Sequence, residues 1–286
     1  MEERVLNEAV IHRFSEHLRL EERSIATREK YLRDVRRFLN YVETRSITKD
    51  VVIAWKKELI QCGYAVRSIN SMLASLNSLL EFLGWTSCKV RNIRMQQSSY
   101  CEFETQLTKA EYLRLLEASK TDVRLNLILQ TICGTGIRVS ELRFFTVEAL
   151  TCGRILVECK SKIRTILIPK QLKKLLLNYA KQNKLSSGPI FLNKKNKPLD
   201  RSTIWRMMKR LCTMAKISDR KVFPHNLRKL FARTFYRLEK DIAKLADILG
   251  HSSINTTRIY IISTGLEHQS SIDRMGLIMS KTKTIT

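Results

Sequence analysis

Apolar residues recur at three- and four-residue steps through the first part of the chain. Between positions 65 and 83, Ile69, Met72, Leu73, Leu76, Leu79, Leu80 and Leu83 line one face of a helix. Tyr31, Val35, Phe38, Leu39 and Val42 make a second stripe, and Val10, Phe14 and Leu18 a shorter one. No proline precedes Pro169, so nothing punctuates long helices there. The pattern predicts a small all-helical bundle over 1–90. Periodicity fails over 91–106, a polar linker. It resumes at Thr108-Lys-Ala-Glu111, which has the spacing of a capping box ahead of Tyr112, Leu115 and Leu116. Beyond Gly153, β-prone runs at 154–158 and 163–168 flank a short basic stretch and predict a hairpin, with 189–192 as a third short strand. Helical patterning returns through Trp205, Met208 and Leu211, then over 227–238 and 242–249. The predicted architecture is mainly α with a small antiparallel β-sheet: a helical domain over 1–90, a linker over 91–106, and a larger domain over 107–286.

Composition narrows the partners. Lys and Arg total 52 against 27 Asp and Glu, giving a formal charge of +25. Such an excess favours a polyanion, either nucleic acid or an anionic membrane surface. The membrane reading requires a basic amphipathic helix with bulky apolar residues exposed, and none is legible. No apolar run reaches the roughly 18 residues of a membrane span, and Met1-Glu2-Glu3-Arg4 lacks a signal-peptide core, so a cytoplasmic protein is expected. Residues 1–100 hold 17 basic and 12 acidic residues, so four-fifths of the net charge falls on 101–286, where the main anion-binding surface is expected. Forty-four per cent hydrophobic residues suffice for a core and exclude a wholly disordered chain. Seven scattered cysteines with no CxxC spacing argue against a disulfide framework or a cysteine-based zinc site.

Four segments carry candidate chemistry. In Gly134-Thr-Gly-Ile-Arg138-Val-Ser-Glu141-Leu, a turn precedes Arg138 in the first turn of a helix, a natural anion seat; the ordinary explanation is a helix-ending Gly134 and an Arg138–Glu141 pair. In Pro224-His225-Asn-Leu-Arg228, His225 and Arg228 share a helix face, and the helix start disfavours imidazolium; a solvated polar face is the alternative. Lys160 sits at the tip of the predicted hairpin, where lysines are usually just solvated. His251 and Tyr260 are nine residues apart and converge only if the chain turns at Gly250–Ser253 and a new helix begins. Otherwise Tyr260 is a packing aromatic.

Together the segments describe a phosphodiester chemistry that needs no metal. Two guanidiniums can clamp both non-bridging oxygens, a lysine can protonate the leaving oxygen, a neutral histidine can accept a proton and a tyrosine can attack phosphorus. Magnesium requires carboxylates, and no Asp/Glu pair sits near these motifs.

The order Arg138…Lys160…His225-x-x-Arg228…His251…Tyr260 resembles the tyrosine recombinases, the phage-type integrases, over essentially the whole chain. Leu249-Gly250-His251-Ser252-Ser253 followed by Arg258-Ile-Tyr260 is the most specific match. The resemblance implies a SAM-like core-binding domain at the N-terminus and a catalytic domain behind it. It implies that Arg138 and Arg228 hold the scissile phosphate, Lys160 is the general acid, His225 assists proton transfer, His251 hydrogen-bonds the phosphate and Tyr260 forms a 3′-phosphotyrosyl bond, with neither metal nor other cofactor. Glu141 is expected to buttress Arg138. Two departures stand out: Lys229 follows Arg228 where the family often has histidine, and Cys159-Lys160-Ser161 replaces a Gly-Lys-Gly turn, which leaves Lys162 as an alternative acid. The implied partners are double-stranded DNA recombination sites, three further copies of the chain in a homotetrameric synaptic complex, and accessory DNA-bending or directionality proteins. The free protein is expected to be a monomer, and the bound one to associate with a bacterial nucleoid. A chain starting at Met1 is expected to lack the arm-site-binding domain of lambda-type integrases. In the tail over 266–286, an apolar stripe at Ile272, Met275, Ile278 and Met279 is expected to dock on a neighbouring protomer, leaving 281–286 disordered. The expected role is integration or excision of a mobile element. The alternatives are a host-type recombinase that resolves chromosome or plasmid dimers, and a DNA-binding regulator that keeps the fold but cuts nothing.

Overall fold

The computed structural model describes residues 4–94, 106–159, 162–261 and 273–275. The chain divides into two compact units, 1–97 and 98–286. In the first, four helices follow one another: α1 (Glu8–Leu20), α2 (Ile25–Val42), α3 (Lys49–Gln61) and α4 (Val66–Phe82). Asn7, Ser24 and Thr48 cap the first three, each side chain accepting from the N–H three residues on. The predicted stripes face inward, with Phe14, Val35, Phe38, Leu73, Leu76 and Leu79 all buried. Trp55 on α3 completes this core edge-on against Phe38, at 5.0 Å between ring centroids. Asp34 is buried among them and is satisfied by Lys30 and by the Ser75 hydroxyl at 2.9 Å.

The second unit holds α5 (Lys109–Ala118), α6 (Val123–Thr135), a 3-10 turn Val139–Phe144, α7 (Val147–Cys152), β1 (Ile155–Cys159), β2 (Lys162–Ile166), α8 (Lys170–Gln182), α9 (Arg201–Ala215), α10 (Pro224–Glu239), α11 (Ile242–Leu249) and α12 (Ile254–Ile261). The capping box is formed in both directions: the Glu111 N–H donates to Thr108 Oγ1 at 3.1 Å and the Thr108 N–H to Glu111 Oε2 at 2.8 Å. Strands β1 and β2 pair antiparallel, Ile155 opposite Ile166 and Cys159 opposite Lys162. The second strand therefore starts and stops earlier than its apolar run suggested.

The expected third strand is not formed. Residues 189–192 make only isolated bridges, Thr146 to Pro189 and Leu192 to Pro198. Ile190 and Phe191 are drawn into the core instead, and the Ile190 N–H is taken by the Phe145 carbonyl at 2.9 Å. Prolines at both bridges supply no N–H for a ladder. The helix before Arg138 ends not at Gly134 but at Gly136, whose φ of 65° is left-handed. A Cβ there would lie 2.3 Å from the Phe231 ring on α10, so glycine is what lets α6 and α10 approach. Lys160 and most of the 91–106 linker lie outside the described residues, as does the tail except for 273–275. No helix among the described residues is long and apolar enough to cross a membrane.

Candidate active site

Glu141 is the hub of the site. It is buried in the 3-10 turn, 2% exposed, and its carboxylate must be paired to be tolerated there. The Arg138 N–H donates to Oε2 at 2.7 Å and the Arg138 guanidinium to Oε1 at 3.0 Å, so the turn and its arginine are fixed by one acid. Arg138 is the N-cap residue of this turn, with extended backbone, rather than a first-turn helical residue. The ordinary Arg138–Glu141 pair is therefore formed, and the other half of the guanidinium lies 3.5 Å from the Gly250 carbonyl, with the side chain 38% exposed. Arg164 on β2 donates to Glu141 Oε2 at 2.6 Å from the opposite side.

Arg228 is brought to the same place by α10. It is 1% exposed, a fully buried guanidinium. It donates to the Gly136 carbonyl at 2.7 Å and to the Leu249 carbonyl at 2.8 Å, both freed by helix ends. Its Nε has no hydrogen-bond partner among the described residues. Burial, and then the Arg138 charge, lower its pKa to about 10, which leaves it a cation at neutral pH.

The turn after α11 does what the spacing of His251 and Tyr260 demanded. Gly250 adopts a left-handed φ of 64°, Ser253 receives the Asn255 N–H, and α12 carries Tyr260 back over His251. Their rings stack at 5.0 Å and 15°, and the His225 ring lies 5.1 Å from Tyr260, tilted at 52°. The Arg228 guanidinium is 5.9 Å from the Tyr260 ring centre. His251 Nε2 lies 2.9 Å from Arg228 Nη2. Arginine offers only donors, so Nε2 accepts, which puts the proton of the neutral ring on Nδ1, 2.9 Å from Thr257 Oγ1. Tyr260 also packs in a small apolar cluster with Phe231, Phe235 and Tyr236.

Both histidines are held neutral. Burial first, then the charges of Lys229, Arg228, Arg201 and Arg138, lower His225 to about 4. Burial, then Arg228, Arg138 and Arg164, lower His251 to about 4. For His225, burial therefore outweighs the helix-start effect expected from Pro224. Below the ordinary 6.5 the unfolded histidines take up protons that the folded ones refuse, so their contribution to stability is lost as pH falls from 6.5 towards 4. The thermal midpoint of the free protein should fall across that window, and less steeply in a His225→Asn, His251→Asn double variant. Parallel slopes would show that the two rings titrate alike in both states.

A cleft of about 610 Å³ opens beside these groups, lined among others by Arg138, Arg201, Ser202, Trp205, His225 and Arg228. The structure thus gathers Arg138, His225, Arg228, His251 and Tyr260 in one place. Arg164, Thr257, Arg201 and Trp205 belong to the site and were not singled out from sequence. Arg164 had a signal: two residues before the buried Ile166, it shares that residue's inward face on the strand. Among the described residues no group of three His, Cys, Asp or Glu side chains is placed to hold a metal ion.

Comparison with known proteins bears on the whole chain. The phage integrase family matches residues 105–265, and the N-terminal SAM-like domain of phage integrases matches 11–87. The tyrosine recombinase XerA of Pyrococcus furiosus is 31% identical over 288 aligned positions, covering 97% of this chain and 98% of the relative. The tyrosine recombinase XerH of Campylobacter jejuni is 32% identical over 170 positions, covering 54% of this chain and 47% of that protein. Among solved structures, a lambda integrase dimer bound to a COC′ core site has the same fold at a TM-score of 0.73 and 18% identity, over 99% of this chain and 82% of that one. XerH bound to its difH substrate has a TM-score of 0.67 at 20% identity, over 93% and 84% of the two chains. The chain belongs to the phage integrase family, the tyrosine recombinases, which are enzymes that cleave and rejoin DNA at specific sites.

Proposed function

We propose that Tyr260 attacks the scissile phosphate of a bound recombination site while Arg138 and Arg228 hold its non-bridging oxygens. One observation carries this reading: His225, His251 and Arg228 surround one tyrosine ring, the two histidines about 5 Å from it and Arg228 at 5.9 Å, with Arg138 beside them at the Gly250 carbonyl. The neutral His225 takes the phenolic proton, a Tyr260 oxygen–phosphorus bond forms, and the 5′-oxygen leaves with a proton from Lys160. Return attack by a 5′-hydroxyl reverses each step, and the diester energy is kept in the phosphotyrosyl bond. Arginine and lysine charge stabilises the phosphorane throughout. His251 serves first by accepting from Arg228 and so orienting it; to donate to the phosphate the neutral ring takes its other tautomer, with the proton on Nε2 and the Thr257 hydroxyl donating to Nδ1. Incubation with a nicked duplex that lets the short cut strand diffuse away should trap a covalent complex that survives denaturation, in the presence of EDTA.

Lys160 is the proposed acid. Its alanine variant should cleave poorly on ordinary DNA and recover on a 5′-phosphorothiolate substrate, whose sulfur leaves without protonation. Recovery of Lys162→Ala instead moves the role two residues along.

The working assembly we propose is a tetramer on two DNA sites, by analogy with the lambda integrase tetramer bound to a Holliday junction. Residues 266–280 pass to a neighbouring protomer in that assembly and fold back in the free monomer. The second unit's catalytic part is taken to run from 107, after a 91–106 linker. In the cell the proposed role is integration or excision of a mobile element, at the nucleoid and with accessory DNA-bending proteins. Resolution of chromosome or plasmid dimers is the second reading, favoured by the end-to-end match to relatives that carry the Xer name. Sequencing the DNA attached to protein trapped in cells separates them: junctions of a mobile element support the first, a single replicon locus the second.

A further inference from the structure

Three guanidiniums converge on one buried carboxylate, and they share it unequally. Glu141 Oε1 serves Arg138, and Oε2 takes the Arg138 N–H and Arg164. Arg228 Nη1 is left 4.0 Å from the same Oε2, beyond a hydrogen bond. Arg164 is well placed to hold that position. It is 15% exposed, its other Nη donates to the Ile248 carbonyl, and a Cβ on Gly250 would lie 2.4 Å from its Cδ. It therefore ties β2 both to the acid and to the turn that carries His251.

We infer that Arg164 is a positioning residue: by occupying Glu141 Oε2 it keeps Arg228 from closing on the acid beyond their 4.0 Å separation, so that the Arg228 charge stays available to the scissile phosphate. The inference rests on the phosphate-holding role proposed for Arg138 and Arg228. The charges support it. Three guanidiniums and one carboxylate leave +2, which matches a phosphorane with two anionic oxygens. Without Arg164 the site keeps only +1, and the freed Oε2 draws Arg228 the remaining distance into a hydrogen bond. Arginine is needed for the geometry as well as the charge, since a lysine ammonium cannot bridge Glu141 and the Ile248 carbonyl as a planar fork does.

The test compares single-turnover cleavage at saturating DNA on two nicked duplexes. One carries the natural scissile phosphate, the other a methylphosphonate, which lacks one anionic oxygen and needs one charge less. Arg164→Met should cleave the phosphate about 100-fold more slowly than wild type, yet come within about threefold on the methylphosphonate. Arg164→Lys should lose about tenfold on the phosphate and nothing on the methylphosphonate, so the comparison holds even where the methionine variant does not fold. An equal loss on both substrates makes Arg164 a packing residue and overturns the inference, as does no loss on the phosphate. Should wild type itself form no adduct on the phosphate duplex, the Tyr260 reading fails, and this one with it.

Discussion

Replacing Tyr260 with phenylalanine abolishes the covalent protein–DNA complex and leaves affinity for a single DNA site within about threefold of wild type. Phenylalanine keeps the ring that, with Phe231, Phe235 and Tyr236, packs against Ala232, Leu245 and Leu249 and stacks on His251 at 5.0 Å, so α12 keeps its packing. What disappears is the one atom proposed to bond phosphorus. Affinity rests on many phosphate contacts made by a chain of charge +25, to which a single neutral hydroxyl adds little. Gel shift in moderate salt measures the binding, and denaturing gels of the nicked-substrate reaction measure the adduct. Loss of binding together with cleavage would make Tyr260 a structural residue. A persisting adduct would place the nucleophile elsewhere.

What the chain revealed before its structure was local chemistry. The Thr108–Glu111 spacing states a reciprocal hydrogen bond outright, and Pro224 with a three-residue step puts His225 and Arg228 on one face. Gly250 and two serines announce a reversal, from which the meeting of His251 and Tyr260 follows. The helix α3 was harder to see, because Val52, Trp55 and Leu59 are few and the stripe is interrupted by Lys56, Lys57 and Glu58, although each of the three is buried. Contacts between distant elements were not legible. The two-residue step to Ile166 gives Arg164 its inward face, but which acid it meets there follows only from laying β2 against Glu141. Residues 189–192 look like a strand because they are apolar. Their apolar side chains serve the core, while their backbone makes only isolated bridges, each with a proline that has no N–H to extend a ladder. Glycine choice was ambiguous for the same reason: Gly134 and Gly136 both suit a helix end, and the approach of Phe231 selects the second.

Conservative replacement should separate the two arginines proposed to hold the phosphate. Arg138→Lys and Arg228→Lys each slow cleavage by at least about 100-fold, because an ammonium cannot present two parallel donors to a phosphate. Their effects on stability differ. Arg138 is more than one-third exposed, and a lysine in its place can still pair with the buried Glu141, whose Oε2 keeps the backbone N–H and Arg164, so its variant loses at most about 1 kcal/mol. Arg228 is enclosed and serves three acceptors at once: the Gly136 and Leu249 carbonyls and His251 Nε2. A lysine reaches at most part of that set, and each carbonyl left without a donor costs about 1–3 kcal/mol. Arg228→Lys should therefore lower the denaturant midpoint clearly, whereas Arg138→Lys moves it less. The same network joins the ends of α6 and α11 through one side chain, so the group proposed to hold the phosphate also holds these helix ends together. Equal stability of the two variants would mean that those carbonyls find other donors, and that Arg228 serves the phosphate alone.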